Sequence, residues 1–296
     1  MADGVTTISI QDLEVFADDL DTARAAAIYR ERGCLVVRGL VKPYVEAIRR
    51  DIEASARQAL SLLERAKQIV EGWTTPDGTL FIPAPAGYGR DKQIMVLAIN
   101  YMTSGAFFQA ALDTRTLDLV EAILGPNIEL FGNGQVLYKE PVGGHPKHLH
   151  QDSAYFEHRH DGPVGVLSYA VDTDLVNGAL HVVPGSHRLG QLSHVDTFSH
   201  LGLDADEWPW ERSVPVVGQA GDSIFFHVRC IHGSQENRSN KSRQVFINRY
   251  RRADDYVTVG GTTTQNRAEA EKRAADARKA NQRGLLARGF RPYEEA

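Results

Sequence analysis

From residue 128 onward the chain is cut into short apolar runs, and their length limits what it can fold into. NIELFG, QVLYKE, KHLHQD, VGVLSYAV, GALHVVP, DSIFFHV and RQVFINRY are each rich in β-branched and aromatic residues. Clusters of Pro, Gly, Asn and Asp separate them. Runs this short suit strands, and the separators suit turns. That many short strands bury their faces best as a sandwich or jelly roll.

The first part of the chain reads differently. Residues 22–33 (TARAAAIYRERG) predict a helix ended by Gly33, and CLVVRGL a short buried strand. Val45, Ile48, Ile52, Ala56, Leu60 and Leu63 recur at helical spacing within 43–69, and 106–124 predicts another amphipathic helix. Residues 71–95 carry Pro, Gly and aromatics without a period and read as an irregular surface or lid segment. The expected class is mostly β with flanking helices: a cupin-like jelly-roll core behind an N-terminal helical layer. No repeat or Pro/Gly/Ser linker interrupts the chain, so residues 1–296 are read as a single domain. The helical layer would span about 10–125 and the jelly roll about 126–252. The Ala-rich, charged stretch NRAEAEKRAADARKANQRGLL predicts a helical tail over about 264–288. That tail is either solvent-exposed or a docking helix, so a monomer and a homodimer both remain open.

Composition removes several function classes. A net charge of -5 gives no support to a nucleic-acid binder. No stretch approaches the roughly 18 apolar residues of a membrane span. The opening MADGVTTISIQDLEVFADDLD is acidic and lacks a signal peptide's apolar centre. Cys34 and Cys230 each lie among apolar residues and are read as buried free thiols, which suits a cytoplasmic protein.

The segment HLHQDSAYF raises the question of chemistry. Strand alternation would put His148, His150 and Asp152 on one face. They are either the wet face of an edge strand or a metal site that lacks a ligand. The most informative histidine downstream is His232, in CIHGSQENRSNKSRQVFINRY, with Arg243 opening the next strand eleven residues later. Two neutral imidazoles and one carboxylate leave coordination positions open, as a non-haem Fe(II) oxygenase requires. A guanidinium on the neighbouring strand suits the far end of a dicarboxylate.

The segments HQD (150–152), NGALHVVPGSH (177–187) and HGSQENRSNKSR (232–243), with YRERGCLVVRGLV, resemble the phytanoyl-CoA dioxygenase family over roughly 25–250. The resemblance implies a double-stranded β-helix and an Fe(II)- and 2-oxoglutarate-dependent dioxygenase consuming O2. It implies His150, Asp152 and His232 as metal ligands, Arg243 as the clamp for the cosubstrate's far carboxylate, and Ser234 as its hydrogen-bonding neighbour. Gln135, Tyr138 and Lys139 become candidate cosubstrate contacts. Some oxygenases of the wider superfamily carry Arg-x-Ser at the clamp; here Arg243-Gln244-Val245 leaves that part to Ser234. Asp152 occupies the position that related halogenases vacate for a halide, so hydroxylation is the default reaction, with release of succinate and CO2, and desaturation, epimerisation and ring formation are left open.

Other residues have two readings. His148 is a rival first ligand, a support for the ligands or a substrate contact. Tyr155 and Phe156 line the substrate pocket or pack in the core. Trp208 and Trp210, in the acidic loop DADEWPWER, cover the mouth or pack on the barrel. His187 is read as tying down its PGSH turn, His181 and His227 as outward-facing or satisfied in the core, and Asp172 and Asp174 as turn residues. Arg90 and Lys92 suit an anion, whereas the acidic loop suits a cation. No basic run is placed to hold a CoA diphosphate, so the expected substrate is a small soluble metabolite. The rival functions are a zinc hydrolase or isomerase on a cupin-like barrel and a non-catalytic ligand-binding module.

Overall fold

The computed structural model describes residues 8–65, 73–74, 80–84, 92–132, 134–197, 200–260 and 283–292. Its helices are α1 (Thr22–Arg32), α2 (Val45–Arg65), α3 (Gly105–Ala111) and α4 (Thr114–Leu124). Its early strands are β1 (Glu14–Phe16), β2 (Cys34–Arg38), β3 (Trp73–Thr74), β4 (Leu80–Pro83) and β5 (Ile94–Leu97). Next come β6 (Ile128–Leu130), β7 (Gln135–Lys139), β8 (Lys147–His150), β9 (Phe156–His158), β10 (Val164–Tyr169) and β11 (Leu180–Val182). The last are β12 (Val195–Asp196), β13 (Leu201–Gly202), β14 (Val214–Val216), β15 (Ser223–His227), β16 (His232–Ser234), β17 (Arg243–Arg252), β18 (Val257–Gly260) and β19 (Leu285–Arg288).

Two sheets form a jelly roll. The larger runs β1-β2-β15-β10-β17-β7-β5-β4-β3, with β6 and β19 continuing from β17. The smaller runs β14-β11-β16-β8. The central strands of the larger sheet are covered on both faces, which is why they read as unbroken apolar runs. In β2, β15 and β17, Val36, Ile224, Phe226, Val245 and Ile247 face the smaller sheet and meet Leu180, Val182 and Val216 there. The alternate residues Leu35, Val37, Phe225 and Phe246 face the helices and meet Ala26, Ile48, Ile52 and Phe107. Burying one such aliphatic or aromatic side chain stabilises by about 1.5–3 kcal/mol.

The helices form where their ends are capped. The Asp21 carboxylate accepts from the backbone N–H groups of Ala23 and Arg24, and Gly33, at φ 70, closes α1. The helix expected over 106–124 is two helices. Asp113 caps a new start by accepting from Arg115 N–H, so its carboxylate competes with continuation of α3. The segment 71–95 is not wholly irregular either. β4 and β5 extend the larger sheet, anchored by the nearly inaccessible side chains of Phe81 and Ile94. Their alternation is too short to stand out beside PAPAGYG.

The C-terminal expectation also needs correction. Residues 261–282 lie outside the described residues, as does Arg90. Leu285–Arg288 is a strand, not the end of a helix, and pairs with β6. Its β-branch-free sequence hides the tertiary reason. Glu129 of β6 is buried between Arg251, at 2.6 Å, and Arg291 from the C-terminal segment, also at 2.6 Å. Cys34 and Cys230 are free and buried, as expected.

Replacing Glu129 by Ala leaves Arg251 buried without its carboxylate. The expected loss is about 3–5 kcal/mol in equilibrium denaturation; a loss below about 1 kcal/mol would show that the ion pair does not hold this strand. Acid should also weaken the fold. Burial pulls His145, His181 and His227 each down to about 4. The unfolded chain takes up those protons at about 6.5. Between these values the unfolded state binds more protons, so stability falls as pH drops. Denaturation midpoints at pH 7.5, 6 and 5 test this, and a flat profile would contradict it.

Candidate active site

The smaller sheet brings the histidine pair together. β16 and β8 run antiparallel with His232 directly opposite His150, and the two ring centroids lie 4.4 Å apart. Asp152 follows β8 in a tight 3-10 turn, not in the strand itself. Its Oδ1 lies 3.8 Å from Nε2 of His150 and 3.8 Å from Nε2 of His232. These three ligand atoms all lie within 4.8 Å of one another, and all three residues are buried.

Hydrogen bonds settle the tautomers. His150 Nδ1 donates to the His148 carbonyl at 2.8 Å, and His232 Nδ1 donates to the Cys230 carbonyl at 2.9 Å. A carbonyl can only accept, so each neutral ring presents a bare Nε2 to the cluster. Burial holds His150 down at about 3, and burial likewise lowers His232. Burial pushes the Asp152 carboxyl up, but the charge and hydrogen bond of the Arg249 guanidinium draw it down, and the net shift is downward, so it stays ionised. Two lone pairs and a carboxylate oxygen thus converge with no proton between them. That donor set fits a divalent cation with open positions.

The turn is held by residues that the sequence reading passed over. Gln151 is fully buried; its side chain donates to the carbonyls of Gly190 and Arg229 and accepts from Leu192 N–H. Its own N–H donates to His194 Nε2 at 2.9 Å. Arg249 donates from Nε and Nη2 to Asp152 Oδ2, both at 3.2 Å, leaving Oδ1 to face the histidines. Arg249 shares the inward face of β17 with Arg243 and Ile247, an i, i+2 relation visible in the sequence.

A cavity of about 360 Å³ opens between the sheets onto this cluster. Arg243 lies in its wall, buried, and donates to the Gly178 carbonyl and to Ser234 Oγ, each at 3.0 Å. Burial pulls its guanidinium down to about 10, and no carboxylate pairs with it among the described residues. Gln135 and Ser234 line the cavity, and so do Tyr155 and Phe156. Phe156 also packs edge-on against Phe131, so both of its readings hold.

Other candidates sit elsewhere. Tyr138 occupies the opposite face of β7, in the core beneath the helices. Lys139 points inward but past the cavity, and its amine donates to the Ser234 and Gln235 carbonyls. Trp210 packs edge-on against His181 beside Leu149, Leu203 and Ile231, away from the cavity. His187 ties its turn to the Arg30 carbonyl, and Asp174 accepts from Val176 and Asn177 N–H within its turn. Lys92 donates to the Glu64 carbonyl.

His148 is exposed and turned from the cavity, and the cause is a β-bulge. Ser234 pairs with Lys147 while His232 pairs with His150, so three steps on β8 match two on β16. Alternation therefore breaks, and Lys147 takes the inward place that parity assigns to His148. Gly233 makes the bulge possible, because a Cβ there would lie 2.8 Å from the Lys147 carbonyl oxygen. His200 joins the cavity wall from the distant β12–β13 segment, its ring 5.3 Å from that of His150.

Comparison with known proteins agrees with this geometry. The family model "Phytanoyl-CoA dioxygenase (PhyH)" matches residues 29–245. The peroxisomal phytanoyl-CoA dioxygenase of Rattus norvegicus is 28% identical over 266 residues, covering 83% of this chain and 74% of its own. A probable alpha-ketoglutarate-dependent hypophosphite dioxygenase of Stutzerimonas stutzeri is 32% identical over 217 residues, covering 70% and 74%. The crystal structure of SnoK, a non-heme alpha ketoglutarate dependent carbocyclase from nogalamycin biosynthesis, superposes with a TM-score of 0.58 at 19% identity, covering 94% and 97%, and speaks for the fold. The chain belongs to the phytanoyl-CoA dioxygenase family and is an Fe(II)- and 2-oxoglutarate-dependent dioxygenase.

Proposed function

We propose that His150, Asp152 and His232 hold the iron, that Arg243 and Ser234 hold the distal carboxylate of 2-oxoglutarate, and that the enzyme hydroxylates an unactivated C–H bond of a small soluble metabolite. The observation that carries this reading is Arg243. It is a buried cation in the wall of the same cavity as the His-Asp-His cluster, with no carboxylate paired to it among the described residues. A buried charge needs a partner, and a dicarboxylate reaching from the cluster supplies one. A hydrolase or an isomerase would leave that guanidinium without a role.

Bound iron with 2-oxoglutarate and dioxygen supplies the oxidising chemistry, and succinate and CO2 leave. The chain's own part is placement. Arg249 keeps Asp152 turned with one oxygen toward the cluster, and the His148 and Cys230 carbonyls keep both imidazoles in the ligating tautomer. Leu137, Leu167, Leu180 and Phe226 keep much of the cavity wall apolar and restrict water. Gln135 adds an amide that can bond to cosubstrate or substrate. The relatives' named substrates differ widely, a branched acyl-CoA and hypophosphite. A cavity of about 360 Å³ that also houses the cosubstrate favours the small end of that range.

Anaerobic addition of Fe(II) and 2-oxoglutarate should produce a visible charge-transfer band that needs both components; metal uptake without a band would refute the reading. Arg243→Ala should keep the metal and raise the 2-oxoglutarate midpoint by about 10- to 100-fold, the loss of one charge-assisted pair. An unchanged midpoint would remove Arg243 from the clamp. His150→Ala should cost at least about 100-fold in metal affinity, while His148→Ala should leave it within about twofold. The reverse result would move the site by two residues.

A further inference from the structure

We propose that Lys147 recognises the primary substrate, and that this substrate carries a small oxyanion group such as a carboxylate, phosphinate or phosphonate. The inference rests on reading the cavity as the shared pocket of cosubstrate and substrate. Four charged side chains line that cavity among the described residues: Lys147, Asp152, Arg243 and Arg249. Arg249 is matched to Asp152 at 3.2 Å. Iron and the cosubstrate dianion cancel in net charge, so Arg243 and Lys147 leave the loaded cavity with two positive charges in excess. The cosubstrate's far carboxylate contacts Arg243, and Lys147 is left without a contacting anion. It makes no hydrogen bond or ion pair among the described residues.

The backbone places this amine deliberately. The bulge at Gly233 turns Lys147 into the cavity where regular alternation would point it outward. Lysine is rarely spent on such a place without a partner. Burial pulls its ammonium down to about 8. Lys147 stands three residues before His150 on the edge strand of the smaller sheet, on the side where His200 and Tyr155 complete the wall. Lys147 lies opposite Ser234 in the β8–β16 ladder, so an anionic substrate held there would be anchored near both the cluster and the Arg243–Ser234 pair, with Arg243 already engaged by the cosubstrate.

The test uses the full chain loaded anaerobically with Fe(II) and 2-oxoglutarate, with the charge-transfer band as reporter of folding and cosubstrate binding. Methylphosphonate, hypophosphite and propionate are titrated by calorimetry against the neutral dimethyl methylphosphonate and propionamide. The expected result is that at least one anion binds the wild type about tenfold or more tightly than the neutral probes, as one buried charge-assisted contact would give. Lys147→Met should abolish the preference and Lys147→Arg should keep most of it, with the 2-oxoglutarate midpoint within about twofold in both. If no anion outcompetes the neutral probes in the wild type, or if the preference survives in Lys147→Met, the proposal is overturned. If Lys147→Met instead raises the 2-oxoglutarate midpoint as Arg243→Ala does, Lys147 belongs to the cosubstrate clamp and the proposal is again overturned. Failure of the wild type to form the band marks failure of the pocket reading itself, separate from these outcomes.

Discussion

Two bare imidazole nitrogens each face one carboxylate oxygen at 3.8 Å in a buried setting, and no proton lies between them. Much of the surrounding hydrogen bonding holds that otherwise unfavourable arrangement in place, a geometry that could hold a metal ion. The His148 and Cys230 carbonyls take the other imidazole protons. Arg249 takes the other carboxylate oxygen. Gln151, buried with four hydrogen bonds, keeps the turn from relaxing. An arrangement so tightly over-determined can hold its ligand atoms in place before any metal arrives.

The same small sheet sets both the His-Asp-His cluster and the character of the cavity. His232, Gly233 and Ser234 are consecutive on β16 and each has a separate task. His232 faces His150 across the ladder, Gly233 lets the β8 backbone come close, and Ser234 accepts from Arg243 of the opposite sheet. The Arg243–Ser234 bond spans the two sheets and fixes the depth of the cavity between them. A single bulge then selects which basic residue of β8 enters. The result is a pocket whose lining, among the described residues, holds three cations and one carboxylate.

The residues that could be read from sequence share one property: their signal is local. The short strands of the core, the α1 stop at Gly33 and the α2 stripe follow from periodicity and caps within a few residues. His150, Asp152, His232 and Arg243 stood out because residue type and spacing were unusual for a plain strand. What escaped had its cause elsewhere in the chain. Lys147 and His148 exchanged places because of the register with β16. Lys139 passes beyond the cavity, where its amine donates to the carbonyls of Ser234 at the end of β16 and of Gln235 just after it. The helix over 106–124 was divided by a single carboxylate cap, and the strand near the C-terminus by pairing with β6.

The sequence by itself determined the two-sheet core and the helical cover, and through the family resemblance it offered His150, Asp152 and His232 as candidate donors. Apolar spacing and ligand chemistry are properties of residues and their near neighbours. Only the tertiary structure decided which nitrogen each histidine offers, which oxygen of Asp152 faces the cluster, and that Lys147 enters the pocket while Trp210 stays out. Those outcomes depend on carbonyls, guanidinium groups and strand register contributed by segments tens of residues away. Hydrogen-bond direction and β-sheet parity exist only once those segments have met.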